Sequence, residues 1–333
     1  MVALLMAGCS EVEIDNGQQQ KGLMPVLFSA GSMDATVTRA SASASYMPVG
    51  SFFVCSMFFH AGANDTDSSA FYSDQNPLIR DVNMMTASLK IDNENGNAAY
   101  QGNTFYWQNR KDHVFLALAD NNKLADEQEF NDSIISFDLT RGSKDTISKQ
   151  PDPILAYVKM KPSGSTQEAN RVKLFFQHQF AQVQVNLKSA LDSTTENIEI
   201  KKIELLGVSP KGYVAYGINP DGSLPKPNYE PTTTTTTFEM FQNKTSIPTG
   251  YLKSFECIAF GMLHGIQVTW TESAAEGGTT HTVIYNVNMP LELKSGNKYI
   301  YNMELRRSQI AKVDVKVKAW IDGKTYGAEG TIK

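Results

Sequence analysis

The sequence predicts an all-β protein of two domains, and three observations carry that prediction. Short runs rich in aromatic and β-branched residues recur along the chain, clusters of Asn, Asp, Gly and Ser separate them, and sustained helical periodicity is scarce. The length, 333 residues, exceeds one small core and fits two units of roughly 150 residues, each burying about two-thirds of its extended surface.

The chain opens with Leu4-Leu5-Met6-Ala7-Gly8-Cys9-Ser10, an apolar run closed by two small residues and a cysteine. Such a run reads as the end of a bacterial lipoprotein signal, with Cys9 receiving the lipid and Ala7 and Gly8 fitting the signal peptidase. It is shorter than the roughly 7 to 15 apolar residues of an export signal, and no Lys or Arg precedes it, which points to a start upstream of Met1. Residues 1–22 are therefore expected to be a signal remnant and a polar tether, with Glu11, Glu13, Asp15 and Gln18 to Gln20 in solvent.

Val26-Leu27-Phe28 reads as a lone strand, and the small polar residues through Thr38-Arg39-Ala40-Ser41 as an exposed, protease-accessible linker. Phe52 to Phe59, Thr104 to Trp107 and His113 to Leu118 follow as strands, separated by turn clusters such as Gly62 to Asp65 and Asn93 to Asn97. The spacing is that of a sandwich or barrel. At the midpoint Val172, Leu174, Phe176 and Phe180 share one parity, whereas Ala181, Val183, Val185 and Leu187 share the other. A phase change of this kind requires a bulge, or a strand that leaves one sheet and joins another. The expected division is 23–170 for the first domain and 171–333 for the second.

In the second half the expected strands are Ile198 to Leu206, Tyr213 to Ile218, Leu252 to Met262, Ile266 to Trp270, Thr282 to Met289 and Tyr299 to Leu305. Pro220 to Pro231 and the six threonines Thr232 to Thr237 read as a long surface excursion. Val313, Val315 and Val317 alternate with Asp314, Lys316 and Lys318, the pattern of a half-buried or edge strand that runs to Trp320.

Composition excludes several functions. A net charge of −5 with both signs interspersed offers no basic stripe, so no nucleic-acid partner is expected. No stretch approaches the 18 or so apolar residues of a membrane-spanning helix. Cys55 and Cys257 lie in apolar segments and would pair only if the two halves met there, so they read as two buried thiols in separate strands. His60, His113, His178, His264 and His281 show no metal-ligand spacing, and HExxH, CxxC and GxSxG are all missing. No catalytic residue, metal or cofactor is expected. His178, between Phe176 and Phe180, reads as a hydrogen-bonded core residue.

Taken in order, Ala7-Gly8-Cys9, Thr38-Arg39-Ala40, Gly102 to Trp107 with His113 to Leu118, Phe176 to Val183, Gly296 to Tyr301 and Val313 to Trp320 resemble the fimbrillin family of Bacteroidales, the type V pilins. The resemblance implies two tandem transthyretin-like Greek-key β-sandwiches in a subunit exported as a lipoprotein. It further implies a cut after Arg39, between Arg39 and Ala40, by an arginine-directed protease, with residues 23–39 released and Val26, Leu27 and Phe28 leaving the first core. The vacated groove would accept a strand of another subunit, for which Val313, Val315 and Val317 and the residues after them are the candidate donor. Partners would be other fimbrial subunits, the outer membrane through the lipid on Cys9 before cleavage, and a host protein or glycan; the location would be the outer membrane and the surface fimbria.

Strand exchange also has a physical warrant of its own. Removing a strand exposes an apolar groove and unpaired backbone groups, and an alternating strand from a second subunit satisfies both, giving a head-to-tail filament. A stalk subunit needs groove and donor, a tip only one of them, and an anchor keeps its lipid. Arg39 among small polar residues favours a cleavable subunit and leaves stalk and tip both open. The competing reading is a surface-anchored glycan-binding lipoprotein presenting Trp107, Trp270 or Trp320 to sugar rings.

Overall fold

In the computed structural model the described residues are 23–32, 45–60, 82–120, 134–141, 150–163, 165–190, 197–215, 226–229, 232–233, 236–273, 278–306, 309–319 and 330–331. Their regular structure is almost wholly β. The first half contributes β1 (Phe28–Ser32), β2 (Ser45–Tyr46), β3 (Phe52–His60), β4 (Val82–Ile91), β5 (Asn97–Tyr100), β6 (His113–Asp120), β7 (Ile134–Asp138), β8 (Pro153–Met160) and β9 (Val172–His178). Eight of these, all but β7, form one sheet in the order β2-β1-β5-β4-β3-β6-β8-β9, and β1 also pairs with β9. The sheet thus closes on itself through β1, which leaves no edge between β5 and β9. Every pairing in it is antiparallel except β1 with β9, which run parallel from Phe28↔Val172 to Ser32↔Phe176.

Period-two sequence explains the inside of this sheet. Along β9 buried and exposed residues alternate strictly, with Val172, Leu174 and Phe176 inward. Phe53, Cys55, Met57 and Phe59 from β3 meet them, together with Leu89, Phe105, Phe115 and the N-terminal Val26, Phe28 and Ala30.

The second half contributes β10 (Ala181–Ser189), β11 (Asn197–Val208), β12 (Lys211–Ala215), β13 (Asn228–Tyr229), β14 (Thr237–Pro248), β15 (Leu252–Ala259), β16 (Gly261–Ser273), β17 (Thr280–Leu293), β18 (Asn297–Arg306), β19 (Gln309–Ala319) and β20 (Gly330–Thr331). A five-stranded sheet, β15-β10-β18-β19-β20, faces a four-stranded one, β14-β11-β16-β17, over a second core built on Val183, Val185, Ile203, Phe238, Val268 and Trp270. A small third sheet, β13-β12-β7, joins the halves, because β7 comes from the first half and β12 and β13 from the second.

The phase change at the midpoint is a change of sheet. β9 ends at His178, Gln179 and Phe180 bend, and β10 begins at Ala181 in the other sheet. Phe180 turns its ring into the second core, 4.4 Å from that of Phe137 and 4.9 Å from that of Phe260. The expected boundary near residue 171 falls before β9, whereas β9 pairs with β1 and β8 and packs into the first core. Parity reveals that a strand changes sheets but not which sheet holds its first part.

Two other expected strands differ. Thr104 to Trp107 forms no ladder beyond the single bridge Pro25↔Tyr106, since its backbone is spent on the segment ahead of β1. The run Leu252 to Met262 is broken at Phe260, where Gly261 adopts a φ of 94° and sends the chain from the five-stranded to the four-stranded sheet. Part of the expected surface excursion is tied down: Asn228–Tyr229 pair with β12, and Thr232 donates to the Gly207 carbonyl. Cys55 and Cys257 are free thiols, buried in the first and second cores.

Candidate functional site

The N-terminal segment is built into the first core rather than laid upon it. Val26 and Phe28 are fully buried, and Leu27 between them is half-buried. The Phe28 ring meets Tyr100, Phe105 and Phe115 edge-on at centroid distances of 6.0, 6.1 and 5.5 Å. Burying such a ring contributes roughly 2–3 kcal/mol before the edge-to-face contacts are added.

Backbone bonds hold the segment on both sides. Val26 N donates to Phe105 O at 2.9 Å, and Trp107 N donates to Met24 O at 3.0 Å. One edge of β1 carries the parallel ladder to β9, continued by Val172 N donating to Leu27 O at 2.8 Å. Its opposite edge pairs first with β5 at Phe28 and Ser29, then with β2 at Gly31 and Ser32. Two side chains add further bonds to β1 and its lead-in: Tyr100 Oη donates to Val26 O at 2.8 Å, and Arg171 Nη1 donates to Phe28 O at 2.9 Å. Glu168 orients that guanidinium from its other face, taking Arg171 Nε at 2.9 Å. Withdrawal of β1 would therefore open a slot with an apolar floor and two facing rows of backbone donors and acceptors.

Sequence reasoning identified Val26, Leu27 and Phe28 but not Tyr100, Phe105, Trp107 and Arg171, which grip them. The alternation of Phe105 and Trp107 was a visible signal of an inward face; nothing local marks Arg171 as the partner of a carbonyl 143 residues away. Arg39, Ala40 and Cys9 lie outside the described residues.

Beneath this segment His113 is fully buried, stacked on Phe59 at 5.9 Å and edge-on to Trp107 at 4.9 Å. Its Nδ1 lies 3.0 Å from the Lys111 carbonyl and its Nε2 accepts from Gln108 N at 3.3 Å, an arrangement that fits the neutral ring with its proton on Nδ1. Burial pushes its pKa down to about 4, against a smaller upward pull from the Lys111 carbonyl.

Val313, Val315 and Val317 are half-buried in β19, packed on the second core. β19 is paired with β18 from Asn297↔Ala319 to Arg306↔Gln309, while its outer side meets β20 only at Lys316 and Val317. In this chain those valines complete their own domain's sheet.

Other chemistry is structural. His178 Nδ1 lies 3.0 Å from Asp152 Oδ1 in a buried pair. A cavity of about 270 Å³ between Leu139–Thr140, β11, β14 and β15 is lined in part by Glu204, Glu239 and Glu256. Its carboxylates are engaged: Glu204 by Lys202 at 2.6 Å and Gln267 at 2.7 Å, Glu239 by Lys202 at 3.5 Å, Glu256 by Lys298 at 2.8 Å. Among the described residues no three His, Cys, Asp or Glu side chains are grouped to hold a metal ion, and no helix is long and apolar enough to cross a membrane. Trp107 and Trp270 are buried and offer no stacking face to a sugar; Trp320 lies outside the described residues.

The family model described as fimbrillin-like matches residues 60–320. Among solved structures, a candidate cell adhesion protein from Bacteroides ovatus is 13% identical, with 91% of this chain and 100% of that chain covered and a TM-score of 0.56. A second, from Bacteroides uniformis, is 17% identical over 89% and 99% of the two chains, with a TM-score of 0.51. These likenesses show the fold. No curated protein sequence matches the chain.

Proposed function

The chain belongs to the fimbrillin-like family, and from that premise we propose that it is a structural, adhesive subunit of a cell-surface fimbria, assembled by strand exchange. It is a member of a family of fimbrial subunits and not an enzyme. In this reading the precursor is exported, lipidated on Cys9 and held at the outer membrane until a cut between Arg39 and Ala40 frees the remainder. The segment before the cut leaves the first domain, and a strand of the next subunit takes its place. The domain division that serves this reading lies at Gln179 and Phe180, with residues 23–178 in the accepting unit.

The observation that carries the reading is the position of β1. It is the strand that closes the first sheet, hydrogen-bonded along both edges, with Val26, Phe28 and Ala30 buried beneath it. A strand held this way leaves a slot shaped for another alternating strand, and two unsatisfied edges make that slot costly to leave empty. β2, which pairs with β1, follows Arg39 in sequence and stays with the body after the cut.

The donor is the C-terminal region from Val313 onward. Because β19 is paired with β18 along its length, transferring it exchanges one ladder for another, and the two-residue β20 is the lightly held part. The polymer is heterologous and head-to-tail.

Treatment with an arginine-specific protease should give a product beginning at Ala40, lose the N-terminal segment and form filaments visible by electron microscopy. Arg39→Ala should remain uncut at that site and monomeric by strand exchange. A product that begins at Ala40, has shed the segment and stays monomeric overturns the assembly mechanism. Incorporation of radiolabelled palmitate, abolished by Cys9→Ala, tests the lipid separately.

A further inference from the structure

The outer edge of β17 is a long strand edge that carries no protection against pairing over Thr280 to Asn286. The first sheet closes through β1, and of β4 only Val82 to Ala87, ahead of its ladder to β5 at Leu89 to Ile91, is left without a second strand among the described residues, a shorter edge than that of β17. In the second half β15 carries Lys253 and Glu256, β14 carries Glu239 and Lys244 and meets β11 with two register shifts, and β20 is two residues long beside the charged β19. Charges, bulges and shortness are the usual means of keeping an edge unpaired. β17 has none of them over Thr280 to Asn286, where neither Lys, Arg, Asp nor Glu occurs and the pairing with β16 is regular.

Which backbone groups face outward follows from the ladder. Glu272 N donates to Thr279 O at 3.2 Å, and bonded pairs alternate along an antiparallel ladder. His281, Val283 and Tyr285 therefore exchange bonds with β16, while the N–H and C=O of Thr280, Thr282, Ile284 and Asn286 point away from it. The same four residues are the exposed ones on the sheet's solvent face, where Thr282 and Thr280 contact Thr269 and Thr271 at 3.1 and 3.0 Å.

We propose that β17 pairs with β17 of a second copy of this chain, antiparallel about a two-fold axis at Val283. That register places Thr282 opposite Ile284 of the second copy and Thr280 opposite its Asn286, all four with outward backbone groups. About eight backbone hydrogen bonds result, and two four-stranded sheets become one. His281 faces Tyr285 of the second copy on the core side. No like charges meet, which is why a second copy fits this edge: a strand is compatible with itself across a two-fold only where it lacks charge opposite charge of the same sign. The contact is isologous and lateral, so it requires neither the cut at Arg39 nor the slot of β1.

Sedimentation equilibrium on the full chain carrying Arg39→Ala tests it with strand exchange disabled. A dimer is expected in the micromolar range. The double variant Thr282→Lys with Ile284→Lys sets like charges directly opposite each other twice and should weaken the dimer about tenfold or more. Thr282→Lys with Ile284→Glu sets opposite charges there and should restore the dimer to within about threefold. Both variants alter only outward side chains, and the second controls for any folding defect of the first. A chain that stays monomeric to about 100 µM overturns the proposal, as does a dimer that both variants leave unchanged or weaken equally.

Discussion

Arg171, just ahead of β9, bonds the Phe28 carbonyl of the neighbouring strand at 2.9 Å, and Glu168, three residues before it, holds the guanidinium in place. A cationic donor on a strand carbonyl is about twice as strong as a neutral one. Replacing it by Arg171→Gln should destabilise the uncut protein by about 1–2 kcal/mol in urea unfolding. After cleavage the same variant should lose the N-terminal segment faster. An unchanged release rate would show that this bond does not hold β1.

Phe28 is the deepest anchor of the same strand. Phe28→Ala should cost about 3–5 kcal/mol, the range for emptying a buried aromatic site. Leu27 is only half-buried, so Leu27→Ala should cost less than half as much. Comparable losses at both positions would mean that β1 is not seated as described.

His113 makes stability depend on pH. Its folded pKa is near 4, below the ordinary imidazole value of 6.5, because burial disfavours the cation. The unfolded chain therefore binds a proton that the folded chain refuses, so the stabilising contribution is full above about pH 6.5 and is lost as pH falls toward 4. The loss should approach about 3 kcal/mol, with a slope of at most about 1.4 kcal/mol per pH unit from this group. Denaturant titrations of the wild type and His113→Gln over that window should show a shallower slope in the variant; parallel curves would remove His113 as the cause.

Gln150 stitches the two halves. Its Oε1 accepts from Ile258 N at 2.7 Å, and its Nε2 lies 3.4 Å from Ile258 O, all buried. Gln150→Leu keeps the volume but leaves the Ile258 amide unpaired, which should cost about 1–3 kcal/mol. Hydrogen exchange at Ile258 should accelerate with it. Unchanged protection would place the junction's strength elsewhere, on Phe137, Phe180 and Phe260.

The strands that sequence revealed best are those with one wet face. In β9 Lys173, Phe175 and Gln177 are exposed between buried neighbours, and the apolar–polar alternation of the sequence in reverse phase through β10, where Gln182 and Asn186 are buried as well, announced the change of sheet. Where the backbone pairs irregularly the reading failed. Thr104 to Trp107 has the composition of a strand, yet Phe105 and Trp107 spend their backbone groups on Val26 and Met24. The continuous apolar run from Cys257 to Gly261 hides its break, because both faces of the corner at Phe260 are buried.

Sequence alone determined the all-β class, the two cores, the inward parity of most strands, the buried thiols and the apolar character of Val26 and Phe28. These follow from local alternation, which a strand with one wet face imposes on its own residues. Only the tertiary structure decided that β1 closes the first sheet between β5 and β9, that Arg171 and Tyr100 bind its carbonyls, that β9 belongs to the first core, and that Val313, Val315 and Val317 complete their own domain. Pairing partners lie from a few to more than a hundred residues apart, and every backbone N–H and C=O is chemically alike. Which strands meet is therefore settled by how whole faces pack, not by any short stretch of the chain.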